Sequence, residues 1–552
     1  MRLSLLSRIT IPLLAAVVGG AGGLGAGCTG DDPSAANGTA PICSGADCDA
    51  GTGAPGFEIA SGASITLVQG ALVQVDITIT RTGFDGPITA TASSLPAGVA
   101  AQPVVVAAGG TTAKLTLSAL PNAAQGTTPI TVSTSDAEGK IKREKPATLL
   151  VRGAPGALDT TFGKAGKVTA KVGTTGLGVK GVIVQADGRT LIAGGSDNDF
   201  ALTRLALDGT VDTTYGLGGK VTADLRVEGD VASIDYPNAV ALAPSGAAIM
   251  VGYRQNALST HAIARFLPTG MLDATFDKDG YAAPMFPLPD WNNNIATGAL
   301  VQPDGKAVFA GTSMKNNGGH SYAVVARFKD NGALDEGFGT GDSGWFYGQL
   351  TADTDDQCEA VTVAPDDKLV AAGTSTAGAV YNVFALRLDP AGKPDTAFGT
   401  KGFSPINFAT PATPHSVHAL PDRRVLLTIE NETKIVLARF DALGVADPTF
   451  GPAGKVTVDV GAATLSPHSV LDAAGRLVIA AGIGTDRIVV ARVTSDGKLD
   501  TTFGTGGIVT VTVDAAITPQ NVRLAQAPDG RIVVSTNLNS AAPDVIAYRF
   551  WQ

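Results

Sequence analysis

The sequence Leu158-Asp159-Thr160-Thr161-Phe162-Gly163 recurs in six further versions along the chain. In every version an aspartate precedes an aromatic residue by three positions. Successive aromatic residues lie 52 to 62 residues apart and are Phe162, Tyr215, Phe276, Phe338, Phe398, Phe450 and Phe503. A period of this length is typical of folds that repeat one supersecondary unit, so the sequence predicts a repeat architecture.

Each copy of the repeat contains four short runs that read as strands. In the first copy these runs are 167–170, 182–185, 190–193 and 200–205. The Asp187-Gly188 pair between the second and third runs predicts a hairpin with a type I′ turn, because both residue types accept a positive φ angle. The chain from 156 to 552 is therefore predicted to be all-β.

The repeat resembles the delta-60 repeat family, with its Ala-Arg-Phe strand, its Asp-Gly-x-Leu-Asp-x-Thr-Phe-Gly turn and its Gly-x-Val-Thr strand. The resemblance covers residues 156–552 in seven copies. It implies a seven-bladed β-propeller, with a solenoid of the same units as the alternative. The first copy starts at the turn and the last ends at Tyr548-Arg549-Phe550. We therefore expect closure by complete blades side by side, without a strand shared between the chain ends.

An arginine on the fourth strand precedes the next turn aspartate by eight residues in six copies. The arginines are Arg204, Arg265, Arg327, Arg387, Arg439 and Arg492, with Arg549 and Asp159 left over at the two ends. This offset predicts an ion pair or, alternatively, an aspartate that caps its own turn. We expect Arg549 to meet Asp159 and join the ends. A calcium-binding or catalytic carboxylate ring is disfavoured, because a residue present in every copy usually serves the scaffold.

The first 27 residues resemble a bacterial lipoprotein signal. Arg2 and Arg8 precede an apolar run over 9–18, which is too short to span a bilayer as a helix, and small residues lead to Cys28. The resemblance implies lipidation of Cys28, a membrane partner through the lipid anchor, and a location at the outer membrane or cell surface. The alternative is an ordinary secretory signal with an incidental cysteine. Residues 28–56 lack apolar periodicity and read as a flexible tether.

Two cysteines of the tether and the overall charge bear on compartment and partners. Cys43 and Cys48 are candidates for a small disulfide loop in an exported segment, and a metal pair is the alternative. Cys358 is predicted to be a buried thiol. The formal net charge of −10, without a long basic run, argues against nucleic acid as a partner.

Residues 57–152 alternate apolar and polar side chains in about seven short runs separated by turn signals. That pattern predicts a β-sandwich. The stretch resembles the immunoglobulin-like modules of exported bacterial proteins, which implies a spacer that holds the next domain off the membrane.

Nearly all of the variation in loop length and chemistry between copies falls on one predicted rim of the propeller, here called the variable rim. Insertions on one face of a repeat often mark a binding face. The ligand candidates on this rim are Trp291, Asn293, Asn316, His320, His415 and His468. The last two belong to one shared position, read as Lys180, Asn238, Thr297, Glu359, His415, His468 and Asn521, whose variation also fits an unconstrained surface site.

Other motifs give weaker signals. His415 and His418 are three residues apart, so a regular strand would turn them to opposite faces. Asp353, Asp355 and Asp356 are candidates for a calcium site, although their loop lacks the glycine and distant glutamate of an EF-hand. No Ser-His-Asp, Cys-His or paired-carboxylate motif is evident in the sequence.

The sequence thus predicts an exported, non-catalytic lipoprotein without a cofactor, which binds protein or glycan through the variable rim. A propeller hydrolase or lyase acting on polysaccharide is the enzymatic alternative. A structural envelope protein without a specific ligand is the third interpretation.

Overall fold

The computed structural model describes residues 55–61, 64–171, 176–226, 233–256, 258–286, 291–315, 319–539 and 544–552. Cys28, Cys43, Cys48 and Asn316 lie outside these ranges, as do the predicted signal and nearly all of the tether. The described residues are almost entirely strands and turns, which confirms the all-β prediction. None of the helices in these ranges is long and apolar enough to cross a membrane.

The first nine strands form two sheets that enclose one hydrophobic core. They are β1 (Gly56–Ser61), β2 (Ser64–Val68), β3 (Leu72–Thr82), β4 (Ile88–Ser93), β5 (Val99–Gln102), β6 (Val104–Val106), β7 (Thr112–Ala119), β8 (Gly126–Asp136) and β9 (Lys142–Arg152). The sheet orders are β1-β3-β7-β5 and β2-β9-β8-β4-β6. Alternate residues such as Ile77, Leu115, Val132 and Leu149 are buried between the sheets, as the period-two pattern predicts. Short strands such as β6 bring the number to nine instead of about seven.

Residues from β10 (Lys167–Lys171) onward form seven groups of four antiparallel strands, here called sheets 1 to 7. A parallel bridge between Ser259 and Asn293 joins sheets 2 and 3 into one eight-stranded sheet. Sheet 1 is β11 (Gly176–Val184), β12 (Thr190–Ser196), β13 (Asp199–Leu205) and β14 (Lys220–Ala223), and sheet 2 is β15 (Ile234–Leu242), β16 (Ala248–Gln255), β17 (Ser259–Phe266) and β18 (Tyr281–Ala282). Sheet 3 is β19 (Trp291–Val301), β20 (Ala307–Lys315), β21 (Ser321–Phe328) and β22 (Trp345–Gly348), and sheet 4 is β23 (Asp355–Val363), β24 (Leu369–Ala377), β25 (Val380–Leu388) and β26 (Phe403–Phe408). Sheet 5 is β27 (Ala412–Ala419), β28 (Val425–Asn431), β29 (Lys434–Phe440) and β30 (Lys455–Val458), and sheet 6 is β31 (Leu465–Leu471), β32 (Leu477–Ile483), β33 (Arg487–Val493) and β34 (Ile508–Thr512). Sheet 7 is β35 (Arg523–Gln526), β36 (Ile532–Asn537), β37 (Asp544–Phe550) and β10. Short 3-10 helices lie at Thr340–Asp342, Pro452–Gly454 and Pro519–Asn521.

The sheets close into a ring through a strand that both chain ends share. β10 pairs antiparallel with β37, with Lys167 opposite Tyr548. The expectation of closure by complete blades is therefore wrong. The first strand of each repeat is the outer strand of the preceding sheet, so the first copy's strand can only complete the last sheet. The seven inner strands contact one another in order, and β35 contacts β11, which is the circular order of a propeller.

An arginine, an aspartate and an aromatic ring form the same contact set in every sheet, here called the clamp. The arginine Nε lies 2.7 or 2.8 Å from the aspartate Oδ2 in all seven copies. The guanidinium lies 4.3 to 5.0 Å from the centre of the turn's aromatic ring. In the closing copy, Arg549 binds Asp159 and donates to the carbonyl of Leu207. The predicted ion pairs are thus confirmed, including the pair that joins the ends.

The clamp aspartate also caps its own turn, so both predicted roles occur together. Asp159 Oδ1 accepts hydrogen bonds from the backbone N–H and hydroxyl of Thr161. The arginine in turn reaches the neighbouring sheet, as where Arg204 donates to the carbonyl of Pro268 at 2.7 Å. The clamp therefore ties each turn to its own sheet and to the next one.

The hairpins between the second and third strands of each repeat are not type I′ turns. Gly188 has a positive φ of 85°, whereas Asp187 does not, and Gly188 N–H bonds to the carbonyl of Gln185. A type I turn followed by one left-handed residue has this geometry. Asp187 instead accepts a hydrogen bond from the N–H of Arg189. These hairpins and the clamp turns follow the second and fourth strands of each repeat, so in an antiparallel sheet they lie on the rim opposite to the variable rim.

Candidate functional site: the central channel

The seven inner strands enclose a central channel with a cavity of about 790 Å³. At the shared variable position of five of these strands the pairing skips one residue, which is a β-bulge. The bulged residues are Lys180, Asn238, Thr297, Glu359 and His415. A bulge re-aims a side chain relative to a regular strand, and all five residues line the cavity. The shared variable position therefore lies in the channel wall and not on the rim.

His468 and Arg523 complete this set in sheets 6 and 7. Both lie on inner strands, with His468 opposite Ala480 and Arg523 opposite Ser535. In the seventh copy the sequence predicts Asn521 at this position, but Arg523 occupies it. Asn521 instead lies in a 3-10 helix and donates to the side-chain oxygen of Asn537 at 2.7 Å.

Three channel side chains join neighbouring sheets. The Asn238 amide donates to the carbonyl of Ala296 at 2.9 Å, and the Thr297 hydroxyl donates to the carbonyl of Cys358 at 2.6 Å. Arg523 Nε donates to the carbonyl of Lys180 at 3.1 Å. These side chains hold inner strands together, so part of the variation in the ring has a structural purpose.

Lys180 and Glu359 differ from these three, because neither charged group makes a hydrogen bond or ion pair with a described residue. Burial raises the pKa of Glu359 to about 7. Burial, together with the charge of Arg523, lowers the pKa of Lys180. Burial also lowers the pKa of Arg523 to about 10. All three shifts disfavour the charged form, as expected for ionisable groups in a narrow channel.

Two histidines predicted as ligand candidates meet in the channel wall. The His415 and His468 rings are 5.2 Å apart, and His415 Nε2 lies 2.9 Å from a carboxylate oxygen of Glu430. Burial lowers the pKa of His468 well below its usual range, and the nearby Arg523 and His415 add to this effect. His468 is therefore neutral at physiological pH.

His418 and Ser469 form a pair that the sequence search missed. His418 Nε2 lies 2.9 Å from Ser469 Oγ, which also contacts the hydroxyl of Thr428 at 2.7 Å. Both His415 and His418 line the channel, against the expectation from their spacing, because the bulge at His415 changes the strand's alternation. Burial lowers the pKa of His418 to about 4. Only the fold brings the serine and the histidine together, since they lie 51 residues apart.

The rim candidates around Trp291 serve mainly as packing residues. Trp291 lies edge-on to Tyr322 at 4.7 Å between ring centres and also contacts Phe286. Asn293 is half-buried, and its nearest polar partner is Met314 Sδ at 4.0 Å. His320 Nδ1 lies 3.4 Å from Asp355. Within the described residues these side chains do not converge on one cavity.

The acidic loop does not gather its three carboxylates. Asp353 is exposed, whereas Asp355 accepts the N–H of Ser321 at 2.9 Å. Asp356 is fully buried and accepts the N–H of Leu350. Adjacent residues on a strand face opposite sides, so Asp355 and Asp356 cannot bind one ion together.

A different group of three carboxylates does come together. Oxygen atoms of Asp199, Asp224 and Asp235 lie within 4.8 Å of one another. Burial and mutual repulsion raise the pKa of both Asp199 and Asp235 to about 6. Asp235 accepts the N–H of Leu225 at 2.7 Å, the same loop-holding contact that Asp356 makes two sheets later. That shared contact gives Asp235 a structural role.

A second cavity, of about 570 Å³, lies where the sandwich meets the propeller. Its arginines are all paired within the protein. Arg152 donates to the carbonyl of Gln552, Arg476 to Asp472, and Arg531 to Asp159. Because these charges are satisfied, this cavity reads as a domain junction.

Four segments of the chain match the family described as "Domain of unknown function (DUF5122) beta-propeller", namely residues 185–215, 302–338, 364–398 and 475–503. This match and the sheet order identify a propeller-type repeat protein. No curated protein matches the chain.

Solved structures with some similarity include a protein of unknown function from Dyadobacter fermentans, at 12% identity over 70% of this chain and 100% of that chain, with a TM-score of 0.37. A triple-arginine mutant of AofleA from Arthrobotrys oligospora has 11% identity over 65% of this chain and 95% of that chain, with a TM-score of 0.33. Prolyl oligopeptidase B from Galerina marginata has 11% identity over 67% of this chain and 55% of that chain, with a TM-score of 0.31.

Proposed function

We propose that the chain is an exported, lipid-anchored, non-catalytic binding module that holds a small polar ligand in its central channel. The proposal rests on one observation, the ring of unlike polar side chains around a cavity of about 790 Å³. Cavities of roughly 300 to 1,000 Å³ with a few convergent polar groups are typical of small-molecule sites. Lys180 and Glu359 leave their charges unpaired among the described residues, where a ligand can reach them.

The histidine–serine pair supports binding over catalysis. A nucleophilic serine needs a base of suitable strength and a third group that orients the base. The pKa of His418, at about 4, makes it a weak base at neutral pH. Among the described residues no carboxylate pairs with His418, and Ser469 is buried. The pair instead connects sheets 5 and 6.

The anchored location rests on the apolar run and small residues before Cys28. In this proposal the sandwich is a spacer between the lipid anchor and the propeller. The loops that differ between repeats predict a protein or glycan ligand on the variable rim. The channel is favoured here because Trp291 packs against Phe286 and Tyr322, whereas the unpaired charges lie in the channel wall.

A thermal-shift screen of the full chain tests the proposal, with a panel of mono- and disaccharides, amino acids, small carboxylates and amines. A ligand that binds only the folded state stabilises it by about 2.7 kcal/mol at a hundredfold excess over its Kd. We expect at least one compound to raise the Tm. Lys180→Trp should abolish that rise, because it removes the ammonium and places a bulky indole in the cavity.

The matched control is His320→Ala on the variable rim, which should keep the full shift. A shift that survives Lys180→Trp but disappears in His320→Ala would place the ligand on the rim. No shift with any compound would reject the binding function.

A further inference from the structure

The channel contains one basic and one acidic group without a partner among the described residues. The Lys180 ammonium and the Glu359 carboxylate make no hydrogen bond or ion pair with described residues. In the clamp, by contrast, every arginine has an aspartate within 2.8 Å, as for Arg439 and Asp447. Both side chains are half-buried. A charge that loses part of its hydration without gaining a partner destabilises the fold, so keeping these two charges is unfavourable.

The two groups belong to opposite sides of the ring. Lys180 lies on the inner strand of sheet 1 and Glu359 on that of sheet 4, and both line the same cavity. In a ring of seven sheets, three or four steps separate them in either direction. Their charges therefore face the cavity from different sides and do not neutralise each other by direct contact.

Arg523 adds to the positive side. It lies on sheet 7 next to sheet 1 and binds the carbonyl of Lys180 through Nε. Its Nη1 donates to the carbonyls of Gln520 and Val522, both at 3.0 Å, whereas no contact with a described residue uses Nη2. A guanidinium and an ammonium side by side are the groups that bind carboxylates and other oxyanions most strongly.

We infer that the channel ligand is dipolar, with an anionic group at Lys180 and Arg523 and a protonated amine at Glu359, as in a free amino acid or an ω-amino acid. This inference rests on the proposed binding function and names its ligand class. A ligand with both charges compensates both sides at once. A ligand with only a carboxylate would leave Glu359 without a partner. A ligand with only an amine would leave Lys180 and Arg523 without an anion, so we expect both to bind more weakly than a dipolar ligand. Burial raises the pKa of Glu359 to about 7, which means that the channel destabilises its carboxylate form. A bound ammonium group would offset this destabilisation.

The test measures affinity of the full chain by isothermal titration for ω-amino acids from glycine to 6-aminohexanoate. The number of methylenes varies the distance between the two charges. For each length, the matching alkylamine and alkyl carboxylate carry one charge only, and neutral monosaccharides serve as uncharged probes. We expect one length to bind at least tenfold more tightly than both of its singly charged analogues.

Two near-isosteric variants assign the charges. Glu359→Gln should remove the advantage over the carboxylate, and Lys180→Gln should weaken the advantage over the amine. Glu432→Gln and Lys434→Gln, on an exposed hairpin at the end of sheet 5, are matched controls and should bind like the unaltered chain. The circular dichroism spectrum and Tm of each variant establish that it is folded.

The outcomes separate this inference from the proposed function. If a neutral sugar binds and neither charge variant changes its affinity, the dipolar class is wrong and the binding function stands. If amino acids and carboxylates bind equally, the ligand is an anion and the role of Glu359 is wrong. If none of the ω-amino acids binds at any length, the inference is overturned.

Discussion

The clamp and the channel ring occupy two positions of the same repeat, yet they treat charge in opposite ways. In the clamp, all seven copies carry the same arginine, and each arginine pairs with an aspartate at 2.7 or 2.8 Å. In the channel, each of the seven copies contributes one side chain at the equivalent position, and these side chains are of six residue types. Two of the charged side chains among them have no partner among the described residues. The first position therefore stabilises the scaffold. The second combines side chains that join neighbouring sheets, such as Asn238 and Thr297, with two charges that lack a partner among the described residues.

The difference arises from backbone geometry. The clamp aspartate sits in a turn whose N–H groups it caps, so that a change there unpairs the turn as well as the arginine. The bulge residues instead stand outside the ladder of paired residues. A side chain outside the ladder can change without breaking backbone hydrogen bonds.

The largest effect is expected where the clamp also closes the ring. Asp159→Ala removes the partner of Arg549 at 2.7 Å and of Arg531 at 2.6 Å. Breaking a buried ion pair by removing one partner typically costs about 3 to 5 kcal/mol. We expect a loss of this size in the free energy of unfolding, measured by urea denaturation with tryptophan fluorescence.

Asp447→Ala, in an interior clamp, is the matched variant. It should lose less stability, because sheet 5 remains held by chain connectivity on both sides, whereas β10 and β37 come from opposite ends. Equal losses in the two variants would show that the closing clamp contributes no more than any other.

The clamp was accessible from the sequence and the channel was not. The eight-residue offset between Arg204 and Asp212 repeats strictly, so an interaction follows from counting alone. The ring closure by β10 was missed, because counting copies from the turn conceals that each first strand belongs to the preceding sheet.

The bulges were also missed, although the sequence carries a trace of them. A small residue follows each bulged one, as Gly181 follows Lys180 and Gly298 follows Thr297. At Gly181 a Cβ atom would come within 2.4 Å of Val240 on the next inner strand, so a side chain does not fit there. The sequence therefore contains a pattern of one variable polar residue followed by one small residue. This pattern indicates a β-bulge only once the close packing of adjacent inner strands is known.

We expect an effect of intermediate size in the pH dependence of stability, where a clamp carboxyl group, Asp447, and a channel carboxyl group, Glu359, should act in opposite directions. The pKa of Asp447 is lowered to about 2 despite the opposing effect of burial, by hydrogen bonds from Thr449 and by Arg439. Its stabilisation is full above pH 4 or so and is lost as pH falls towards about 2. The pKa of Glu359 is raised to about 7, so ionisation of this group destabilises the fold progressively from about pH 4.5 to above pH 7.

Glu359→Gln should therefore match the unaltered chain at pH 4 and exceed its stability at pH 8 by roughly 1 to 3 kcal/mol. Asp447→Asn should show the reverse, with a deficit at pH 7 that shrinks towards pH 2. Urea denaturation of the three proteins across this range gives both trends. A Glu359→Gln variant that gains nothing at pH 8 would mean that the carboxylate is adequately solvated.

The smallest expected effect is a difference in stability between variants at two positions of the channel ring, Thr297 and Lys180. Thr297→Val keeps the side-chain shape but removes the hydrogen bond to the carbonyl of Cys358 at 2.6 Å. Such a bond contributes about 1 kcal/mol net, and the loss leaves a carbonyl of a buried residue short of a partner. Lys180→Gln, one of whose amide atoms can stay in the channel water, should cost nothing by the same urea measurement. If the two variants lose equal stability, the ring does not divide into structural and free positions, and the argument that Lys180 and Glu359 are reserved for a ligand loses its physical basis.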